Sequence, residues 1–585
     1  MELIDKYLPK KDFESAEDFY ENYTINIPEN FNFVYDVIDT LAEEKGSGRA
    51  LVWCDEKGAE ASFTFAEMKT LADKAANVLR EAGIGKGDPV MLILKRRWQY
   101  WPILLALHRL GAVAIPATHL LTVKDIVYRC NAADIAGIIC VDDIELMDRV
   151  DEADAKLKET ALETAATPYL RYKAFVRSVH TPKDADPAKQ AAELSAGRAS
   201  DSVTPSPWID FSPLMEKADT EFKHERVNSS EDTMLLYFTS GTTGMPKMVS
   251  HNFAYPLGHI VTAKYWHRVD PGKLHLTVAD TGWAKAAWGC IYGQWLCEIT
   301  VFIYDYDRFD PPAMLEIISK YKLSSFCAPP TIYRFFVKED LEKYDFPALE
   351  SCTVAGEPLN PEIYDQFLAA TGIKLREGYG QTELTLTLCS WPWLESKPGS
   401  IGKPAPGYDI DLVREDGSSC GPGEEGQIII RTDKRRPWGM FGGYYRDEAL
   451  TKSVWRDNAY YTGDMAWKDE DGYFWFVGRS DDVIKSAGYR IGPFEVESAM
   501  LEHPGVLECA VTGVPDPDRG MAVKATIVLA KGYTASEELK LELQNHAKKI
   551  TAPYKYPRVI DFVAELPKTI SGKIRRVQIR EGDEQ

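Results

Sequence analysis

Apolar and polar positions alternate in two distinct ways from about residue 50 onward. The run 89-PVMLILK-95 is short and almost continuously apolar, which is typical of a buried strand. Before it, Met68, Leu71, Ala75 and Val78 recur at the spacing of one helix face. Similar apolar runs follow at 299-ITVFIYD-305, 324-SSFCAPP-330 and 351-SCTVAGE-357. Strands that alternate with helices predict a mostly parallel, doubly wound α/β architecture.

Two helix boundaries in this region are marked by capping residues. Asp310 precedes Pro311, and Asn360 precedes Pro361, which is the usual order of an N-cap and the first helical residue. Gly372 follows where the second helix is predicted to end. These signals predict helices that begin at about 311 and 361.

A different pattern begins after about residue 478. The segment 495-EVESAMLEH-503 has helical spacing, whereas 506-VLECAVTGV-514 and 521-MAVKATIVLA-530 have the composition of strands. A further helix is predicted with Thr534 and Glu537 as its capping box. About a hundred residues with their own helices and strands predict a small α+β domain.

One segment interrupts these patterns. Residues 180–207 are rich in Ala, Ser, Asp and Pro and show no apolar periodicity. We therefore expect a surface insertion or a mobile loop here rather than a boundary between domains.

The charge of the chain narrows the choice of partners. The formal net charge is −21, which argues against a nucleic-acid partner because a basic face is needed to neutralise phosphates. Basic residues are nevertheless concentrated near the C-terminus, with nine Lys and Arg against two acidic residues between His546 and Arg580. This cluster is either a solvated face or a surface for small anions.

Cysteine usage and the N-terminal residues bear on the location of the protein. The 10 cysteines occur without the paired spacing of a zinc site, which predicts reduced thiols in an intracellular protein. The N-terminal stretch MELIDKYLPKKDFESAEDF is too polar for a targeting peptide, and His108 and Arg109 interrupt the apolar run 102–115. We therefore predict a cytoplasmic protein without stable membrane insertion.

The segment 237-YFTSGTTGMPKMVSH-251 is either a phosphate-binding loop or a Gly/Thr-rich turn. It differs from the mononucleotide P-loop, because Gly241 and Gly244 are only three apart and Met248 follows Lys247. It still offers hydroxyl groups, glycines that let backbone N–H groups approach a ligand, and a lysine charge. The candidate phosphate-binding residues are Thr239, Ser240, Gly241, Thr242, Thr243, Gly244 and Lys247.

This segment resembles the signature of the adenylate-forming superfamily, which includes acyl-CoA synthetases, luciferases and peptide-synthetase adenylation domains. Five later segments resemble further motifs of that family in the same order: 355-AGEPLN-360, 377-EGYGQTE-383, 461-YTGDMAW-467, 478-GRSDDVIKSAGYRIGPFEVE-497 and 566-LPKTISGKIRR-576. Other stretches resemble the medium-chain acyl-CoA synthetases in particular: 328-APPTIYRF-335, 398-PGSIGKP-404 and 552-APYKYPR-558. The resemblance covers nearly the whole chain and is weakest across 180–207.

The resemblance implies a fold and its division into domains. An α/β N-terminal adenylation domain with doubly wound sheets is expected over 1–478. A hinge over 479–482 connects it to a small α+β lid domain over 483–585.

The resemblance also implies an AMP-forming acyl-CoA synthetase, an acid–thiol ligase that uses ATP, Mg²⁺ and coenzyme A. A small carboxylic acid would attack the α-phosphorus of ATP and release pyrophosphate, after which the thiol of coenzyme A would displace AMP from the acyl-adenylate. The carboxylate is already ionised at neutral pH, so the first step needs positioning and charge neutralisation rather than a general base.

Residue roles follow from the matching motif positions. Tyr379 would pack against adenine, Thr382 would bond the α-phosphate, Glu383 would hold Mg²⁺, Asp464 would take the ribose hydroxyls and Lys573 would carry the adenylation step. An aromatic face suits a purine, and a carboxylate is a hard oxygen ligand for Mg²⁺. The other nucleotide-binding residues implied are Gly356, Glu357, Pro358, Glu377, Gly378, Gly380, Gln381 and Arg479.

The second half-reaction is expected to use the C-terminal domain. The residues implied in coenzyme A binding are Gly488, Tyr489, Arg490, Arg519, Tyr556 and Arg558. Asp481 stands at the hinge position, about which the family rotates its C-terminal domain between the two half-reactions.

The acid substrate is less closely defined. Acetate-specific relatives carry a tryptophan where this chain has Gly380, so we expect room for an acid longer than acetate. By resemblance, Trp283, Lys285 and Trp288 line the acyl pocket. Lys285 is either a surface lysine or a residue that limits chain length or recognises a polar substituent. Medium-chain or branched-chain acids are predicted, with short-chain or aryl acids as the alternative.

Two other functions are compatible with adenylate binding. An enzyme with a non-CoA acceptor is disfavoured by 487-AGYRIG-492 and 552–558, which resemble CoA-using members. A non-catalytic nucleotide-binding regulator is disfavoured because every motif position, Lys573 included, carries a chemically competent residue. Homodimers are common in the family, and the sequence leaves the oligomeric state open.

Overall fold

The computed structural model describes residues 2–164, 170–195, 206–239, 245–487, 489–568 and 574–583. In chain order the strands are β1 (Arg49–Asp55), β2 (Glu60–Thr64), β3 (Pro89–Ile93), β4 (Val113–Pro116), β5 (Gly137–Val141), β6 (Tyr172–Val176), β7 (Ile209–Asp210), β8 (Thr233–Thr239), β9 (Lys247–Asn252), β10 (Leu274–Thr277), β11 (Thr300–Asp305), β12 (Ser325–Ala328), β13 (Ser351–Val354), β14 (Leu375–Gly380), β15 (Leu386–Cys389), β16 (Lys403–Pro404), β17 (Asp409–Val413), β18 (Glu425–Arg431), β19 (Gly443–Tyr444), β20 (Trp455–Arg456), β21 (Ala459–Lys468), β22 (Phe474–Arg479), β23 (Ile484–Ser486), β24 (Tyr489–Ile491), β25 (Val506–Asp516), β26 (Gly520–Leu529) and β27 (Val559–Phe562).

The α-helices are α1 (Ala16–Asn22), α2 (Thr40–Lys45), α3 (Phe65–Glu81), α4 (Tyr100–Arg109), α5 (Val123–Ala133), α6 (Ile144–Thr164), α7 (Pro187–Ser195), α8 (Phe211–Lys217), α9 (Lys285–Gly289), α10 (Tyr292–Leu296), α11 (Pro311–Lys320), α12 (Pro330–Phe336), α13 (Pro361–Thr371), α14 (Glu448–Val454), α15 (Pro493–Leu501), α16 (Glu537–Ile550) and α17 (Arg576–Asp583). Short 3-10 or π-helical segments span Leu3–Lys6, Val34–Asp39, Tyr255–His259, Val261–His267 and Leu341–Lys343. Of the helices in the described ranges, none is both long and apolar enough to cross a membrane.

Two mostly parallel sheets form the scaffold of the N-terminal region. The first has the order β16-β15-β14-β13-β12-β10-β11-β1-β2, and the second has the order β19-β9-β8-β4-β3-β5-β6-β7. Neighbouring strands from β14 through β1 are parallel, as are those from β8 through β7, whereas the remaining pairs in these two sheets are antiparallel. The predicted α/β fold class is confirmed, with helices such as α4 and α13 connecting parallel strands.

Two smaller sheets follow. One of them is antiparallel and has the strand order β17-β18-β21-β20, with β22 beside β21. The other has the order β24-β23-β26-β25, with β27 beside β26, and its core is drawn from residues between Ile484 and Ile560. This last sheet and its helices form the smaller C-terminal domain, whereas the proposed boundaries at 478 and 482 stay predictions.

The helix boundaries show which local signals decide the structure. The side chains of Asp310 and Asn360 accept hydrogen bonds from Ala313 N and Glu362 N, and Gly372 ends α13 with φ of 73°, as the capping residues predict. The predicted capping box at Thr534 is wrong, because α16 begins two residues later. Its N-cap is Ser536, whose hydroxyl accepts from Leu539 N over 3.1 Å.

Part of the predicted insertion at 180–207 is helical in the described residues. Helix α7 lies within it and buries Ala191 against the main core. Asp186 accepts from Lys189 N over 3.0 Å at the start of this helix. Alanines within Pro187–Ser195 favour a short helix even without a long apolar stripe. Residues 196–205 lie outside the described ranges.

Candidate active site

Strand β14, the third strand from one end of the first sheet, begins the segment 377–383, and its side chains alternate between two environments. Tyr379 points towards β21 and donates its phenol O–H to Asp464 Oδ2 over 2.6 Å. Gly378 and Gly380 face the opposite way, towards two tryptophans described below. The period of two along a strand therefore separates a polar face from an aromatic face within three residues.

Asp464 collects hydrogen-bond donors on the polar face. It is 5% exposed, and Gln381 Nε2 donates to the same Oδ2 over 2.6 Å. Arg479 Nη1 lies 3.5 Å from Asp464 Oδ1, because β21 and β22 place the two residues opposite each other. Tyr460 in turn donates to Gln381 Oε1 over 2.8 Å. An ionised carboxylate held by aimed donors has a fixed orientation and is a strong acceptor for hydroxyl groups.

Glu383 lies just after β14 and contacts Tyr444, a residue that the sequence did not predict as part of the site. Tyr444 donates its phenol O–H to Glu383 Oε1 over 2.9 Å, and Lys247 Nζ lies 5.3 Å from the centre of the Tyr444 ring. Burial raises the pKa of the Glu383 carboxyl, while the Tyr444 hydrogen bond and the charge of Lys247 oppose that shift. The pairing of β19 with β9 brings Tyr444 to this position.

The backbone around Glu383 is held from two sides. His251 Nε2 lies 2.7 Å from the carbonyl oxygen of Thr382, and Phe441 N donates to the carbonyl of Glu383 over 2.8 Å. His251 was not predicted as a site residue, and burial lowers its pKa to about 3, so it is a neutral donor here. These contacts position Thr382 and Glu383 without using their side chains.

Strands β8 and β9 flank the candidate phosphate loop. Thr239 and Lys247 are paired across the two strands, and Tyr128 of α5 donates to the carbonyl of Pro246 over 3.0 Å. The hydroxyl-rich residues between them, Ser240, Gly241, Thr242, Thr243 and Gly244, lie outside the described residues. The two described ends of the loop are therefore close together, with Lys247 directed towards Tyr444.

The loop 355–360 is connected to β14 by a buried carboxyl group. Leu359 N donates to Glu377 Oε1 over 3.0 Å, and Glu377 is 4% exposed. Burial raises the pKa of Glu377 to about 8, although the Leu359 hydrogen bond opposes the shift. Glu357 is instead bonded by Thr331, over 3.0 Å. In this arrangement the Glu377 carboxyl group bonds the backbone of the loop, and its contact with a nucleotide stays a prediction.

Gly356 and Lys285 meet at the other end of this loop. Gly356 has φ of 112°, a conformation that side-chain-bearing residues rarely adopt. Lys285 Nζ donates to the carbonyl of Ala355 over 2.7 Å, so this lysine is not a freely solvated surface residue. Pro358 continues the loop towards Leu359.

Two tryptophans occupy the space beside the glycines of β14. A Cβ built on Gly378 would lie 2.5 Å from Trp266, and one built on Gly380 would lie 2.3 Å from Trp288. Trp288 lies on the same short helix, α9, as Lys285, whereas Trp283 precedes that helix. The expectation of free space beside Gly380 is therefore corrected, because the indole of Trp288 fills it.

The residues predicted to bind coenzyme A lie in the C-terminal domain. Tyr489 is 50% exposed and its ring stacks on Tyr554, with centroids 4.1 Å apart. Arg490 Nη2 lies 2.7 Å from Glu415 Oε1, on the turn that links β17 to β18. Gly488 and the predicted catalytic Lys573 lie outside the described residues. Tyr489 and Arg490 thus have their own partners in this arrangement.

The basic cluster near the C-terminus is partly neutralised. Lys548 Nζ and the guanidinium of Arg558 lie 4.2 and 4.7 Å from the centre of the Tyr556 ring. Arg519 Nη1 lies 3.7 Å from Asp516 Oδ1. Several other members pair with carboxylates, namely Lys555, Lys568, Arg576 and Arg580. Among the described members of the cluster, Lys548 and Arg558 therefore flank Tyr556 without a carboxylate partner in these contacts.

Comparison with known families identifies this arrangement. The family described as AMP-binding enzyme matches residues 38–445, and its C-terminal domain matches residues 495–573. The chain belongs to the AMP-binding enzyme family. The motif segments at 237–251, 355–360 and 377–383 lie within the first match and 566–576 lies mostly within the second, whereas 461–467 and most of 478–497 lie between the two.

Relatives and solved structures narrow the type of AMP-binding enzyme. The chain is 39% identical to acyl-coenzyme A synthetase ACSM3, mitochondrial, of Mus musculus, over 97% of this chain and 93% of that protein. It is 41% identical to acyl-coenzyme A synthetase ACSM5, mitochondrial, of Homo sapiens, over 95% and 91% of the two chains. An anthranilate CoA ligase in complex with anthranoyl-AMP superimposes with a TM-score of 0.80 at 25% identity, over 95% of this chain and 98% of that chain.

A benzoate CoA ligase from Burkholderia xenovorans superimposes with a TM-score of 0.75 at 26% identity, over 94% of this chain and all of that chain. The predicted AMP-forming acyl-CoA synthetase, an acid–thiol ligase, is therefore confirmed as the class of this AMP-binding enzyme. ATP, coenzyme A and a carboxylic acid are the reactants of that class.

Proposed function

We propose that this acyl-CoA synthetase activates medium-chain or branched-chain carboxylic acids, with ATP and the acid on opposite faces of residues 377–383. The observation that carries the proposal is the alternation along β14. Tyr379 bonds Asp464 on one face, Gly380 packs against Trp288 on the other, and Glu383 lies at the end of the segment. A nucleotide and an acyl chain would then meet near Thr382.

The nucleotide would bind to the polar face. The Tyr379 ring would cover the adenine, and Asp464 would accept from the ribose hydroxyls, helped by Arg479. The loop 239–244 with Lys247 would hold the phosphates that leave as pyrophosphate. Loops rich in hydroxyl and backbone donors suit this role, and Lys247 adds a charge whose direction towards Tyr444 and Glu383 is consistent with it.

A magnesium ion fits beside Glu383. Mg²⁺ in nucleotide sites is typically held by one or two carboxylates together with phosphate oxygens and water, so a single glutamate at this position is sufficient. When bound, the ion would neutralise phosphate charge as the α-phosphorus is attacked. Tyr444 would orient the Glu383 carboxylate, and its hydrogen bond favours the ionised form.

The two half-reactions would use different faces of the C-terminal domain. Lys573 would neutralise charge near the α-phosphate during adenylation. Rotation about Asp481 within the proposed hinge 479–482 would then bring Gly488, Tyr489 and Arg490 towards the acyl-adenylate, while Arg519, Tyr556 and Arg558 hold coenzyme A. The present pairing of Arg490 with Glu415 is consistent with the arrangement before that rotation.

Short-chain or aryl acids form a second candidate class, which one observation favours. The Trp288 indole occupies the space beside Gly380, so the glycine does not open a long tunnel by itself. A flat aromatic wall suits an aryl acid or a short chain, and Trp283 and Lys285 are the further candidates for the wall. The two classes differ in the length and shape of the acid that gives the highest kcat/KM.

The test is AMP release from ATP and coenzyme A with straight-chain acids from C2 to C10, branched acids and aromatic acids. We expect acyl-CoA and AMP in equal amounts, with the highest kcat/KM for a medium-chain or branched acid. A maximum at acetate, propionate or an aryl acid would select the second class. Failure with every acid would contradict both.

Location and assembly are two further proposals. The polar N-terminal stretch predicts a cytoplasmic protein, whereas the names of the relatives place those proteins in mitochondria. We keep the cytoplasmic location and a homodimer as proposals. Cell fractionation tests the first, and light scattering after size-exclusion chromatography tests the second.

A further inference from the structure

A buried ion pair in the C-terminal domain joins α15 to α17. Arg576 Nη2 donates to both carboxylate oxygens of Glu497 over 2.7 Å, and its Nε donates to Oε1 over 3.1 Å. Glu497 is 5% exposed, and its Oε1 also accepts from Val511 N over 2.8 Å. Two-pronged charge-assisted contacts of this kind fix orientation as well as distance.

Arg576 stands directly beside the segment that carries Lys573. Lys568 and Ile574 form a β-bridge, so the ends of the intervening segment are close together. Arg575 N donates to the carbonyl of Pro567 over 2.8 Å, and Lys568 pairs with Glu508 over 2.6 Å. Lys573 immediately precedes Ile574, so the position of this bridge determines where the lysine backbone starts.

The same arginine is close to the proposed hinge. Arg576 Nη1 lies 3.7 Å from Asp482 Oδ2, and Arg580 Nη1 lies 2.7 Å from Asp482 Oδ1. Asp482 is the neighbour of Asp481. Helix α17 therefore contacts both Glu497 and the proposed hinge.

We propose that Glu497 is a positioning residue for the adenylation half-reaction, because through Arg576 it holds the start of α17 and the bridge at Ile574, the described residues that directly follow Lys573 in the chain. This inference rests on the proposed role of Lys573. Glu497 does not touch the reactants in this account; it determines the place from which the lysine reaches them. The coenzyme A half-reaction does not use Lys573, and Glu497→Gln leaves the contact between Arg576 and Asp482 in place, so thioester formation should be insensitive to that substitution.

The test compares the two half-reactions in the full-length enzyme carrying Glu497→Gln. Exchange of pyrophosphate into ATP with the best acid is expected to fall about 10- to 100-fold, since a displacement of about 1 Å can cost that much. Formation of acyl-CoA from supplied acyl-adenylate should stay within about twofold of the wild type. Arg576→Lys keeps the positive charge but loses the two-pronged guanidinium contact. It should also slow pyrophosphate exchange more than acyl-CoA formation, by a smaller factor than Glu497→Gln does.

Glu495→Gln is the matched control, because Glu495 lies on the same helix and pairs with Lys555 over 2.6 Å. It should leave both half-reactions near wild-type rates. Combining Glu497→Gln with Arg576→Met should be no worse than Arg576→Met alone, as expected for two residues acting as one unit.

Equal losses in both half-reactions of Glu497→Gln and Arg576→Lys would overturn the inference, because they would indicate general damage to the domain. Unchanged exchange would overturn it as well. Lys573→Ala, assayed in parallel, separates this inference from the proposed function. If Lys573→Ala loses only exchange and the Glu497 variant does not, the positioning role alone fails; if the wild type shows no exchange, the proposed function fails too.

Discussion

The indole of Trp288 lies against Gly380, in the space that any larger residue at position 380 would need. A Cβ at that position would lie 2.3 Å from Trp288 and 2.4 Å from the carbonyl oxygen of Thr385. The glycine and the tryptophan come from β14 and α9, so the two elements define one wall together. Acid selection in the proposed pocket should therefore depend on the pair rather than on Gly380 alone.

Replacing Trp288 by alanine is expected to shift acid preference towards longer chains. The lost indole leaves volume beside Gly380, and each added methylene in an apolar pocket is worth about 1 kcal/mol or more. The ratio of kcat/KM for a C8 acid to that for a C4 acid should rise about 10-fold or more. Gly380→Ala should instead lower kcat/KM for every acid, because its Cβ meets the Thr385 carbonyl oxygen as well as Trp288. An unchanged C8 to C4 ratio in Trp288→Ala would exclude this wall.

Asp464→Asn should weaken the binding of ATP more than it slows turnover. The substitution removes the negative charge that accepts hydrogen bonds from Tyr379 and Gln381. It also places an amide N–H₂ donor among groups that are themselves donors. We expect KM for ATP to rise about 10-fold or more, with a smaller change in KM for the acid. Asp469→Asn is the control, since Asp469 follows the same strand but pairs with Lys397. A larger effect on the acid than on ATP would argue against the ribose role.

Tyr444→Phe should change the pH dependence of adenylation. Burial already raises the pKa of Glu383, and the Tyr444 hydrogen bond opposes that rise. Without the phenol the carboxyl should take up a proton at higher pH, so the acidic limb of the exchange rate should move upwards. The Mg²⁺ concentration for half-maximal rate should also increase, because a protonated carboxyl is a poorer ligand. Tyr445→Phe, one residue along, is expected to keep the wild-type profile, and an identical profile for both variants would contradict the assignment.

Glu377→Gln should stabilise the fold increasingly as the pH rises. The pKa of Glu377 is raised to about 8 from an ordinary value of 4.5, because burial disfavours the carboxylate. Between these two values the folded state holds a proton that the unfolded chain has lost, so stability falls by about 1.4 kcal/mol per pH unit at most. Below pH 4.5 the contribution is fully present, and above 8 the loss is complete. Glutamine has the shape of the protonated acid and does not titrate.

The measurement is the difference in free energy of unfolding between Glu377→Gln and wild type, from denaturant midpoints at pH 5, 6, 7 and 8. It should grow across this range, since Glu377 Oε2 has no hydrogen-bond partner among the described residues that would favour the anion. Glu350→Gln, an exposed carboxylate paired with Lys273, should give a nearly constant difference. A flat difference for Glu377→Gln would show that its carboxyl titrates normally.

Part of the site could be predicted from the sequence because motif residues carry chemistry in a fixed order. Tyr379 and Asp464 were both expected at the nucleotide, but their hydrogen bond depends on how β14 meets β21, 85 residues later. Tyr444 was not predicted, because an uncharged tyrosine after two glycines matches no recognisable motif. Its contact with Glu383 forms only when β19 pairs with β9.

The α/β fold could be predicted from the sequence, because apolar strand runs and amphipathic helix faces are each visible within a short stretch of residues. Two expectations failed, one for a local reason and one because of a residue distant in the sequence. Ser536 rather than Thr534 caps α16, because several hydroxyl and acidic residues compete within three positions. Gly380 was expected to open space, but whether a missing side chain leaves a cavity depends on a distant residue, here Trp288, that packs into it.

The most direct test of the account is a single-turnover experiment with ATP, Mg²⁺ and the best acid, first without coenzyme A. The account predicts enzyme-bound acyl-adenylate and one pyrophosphate per active site, followed by acyl-CoA and AMP, with no further ATP consumed, when coenzyme A is added. Release of ADP and phosphate, or acyl-CoA formation without a preceding acyl-adenylate, would contradict it.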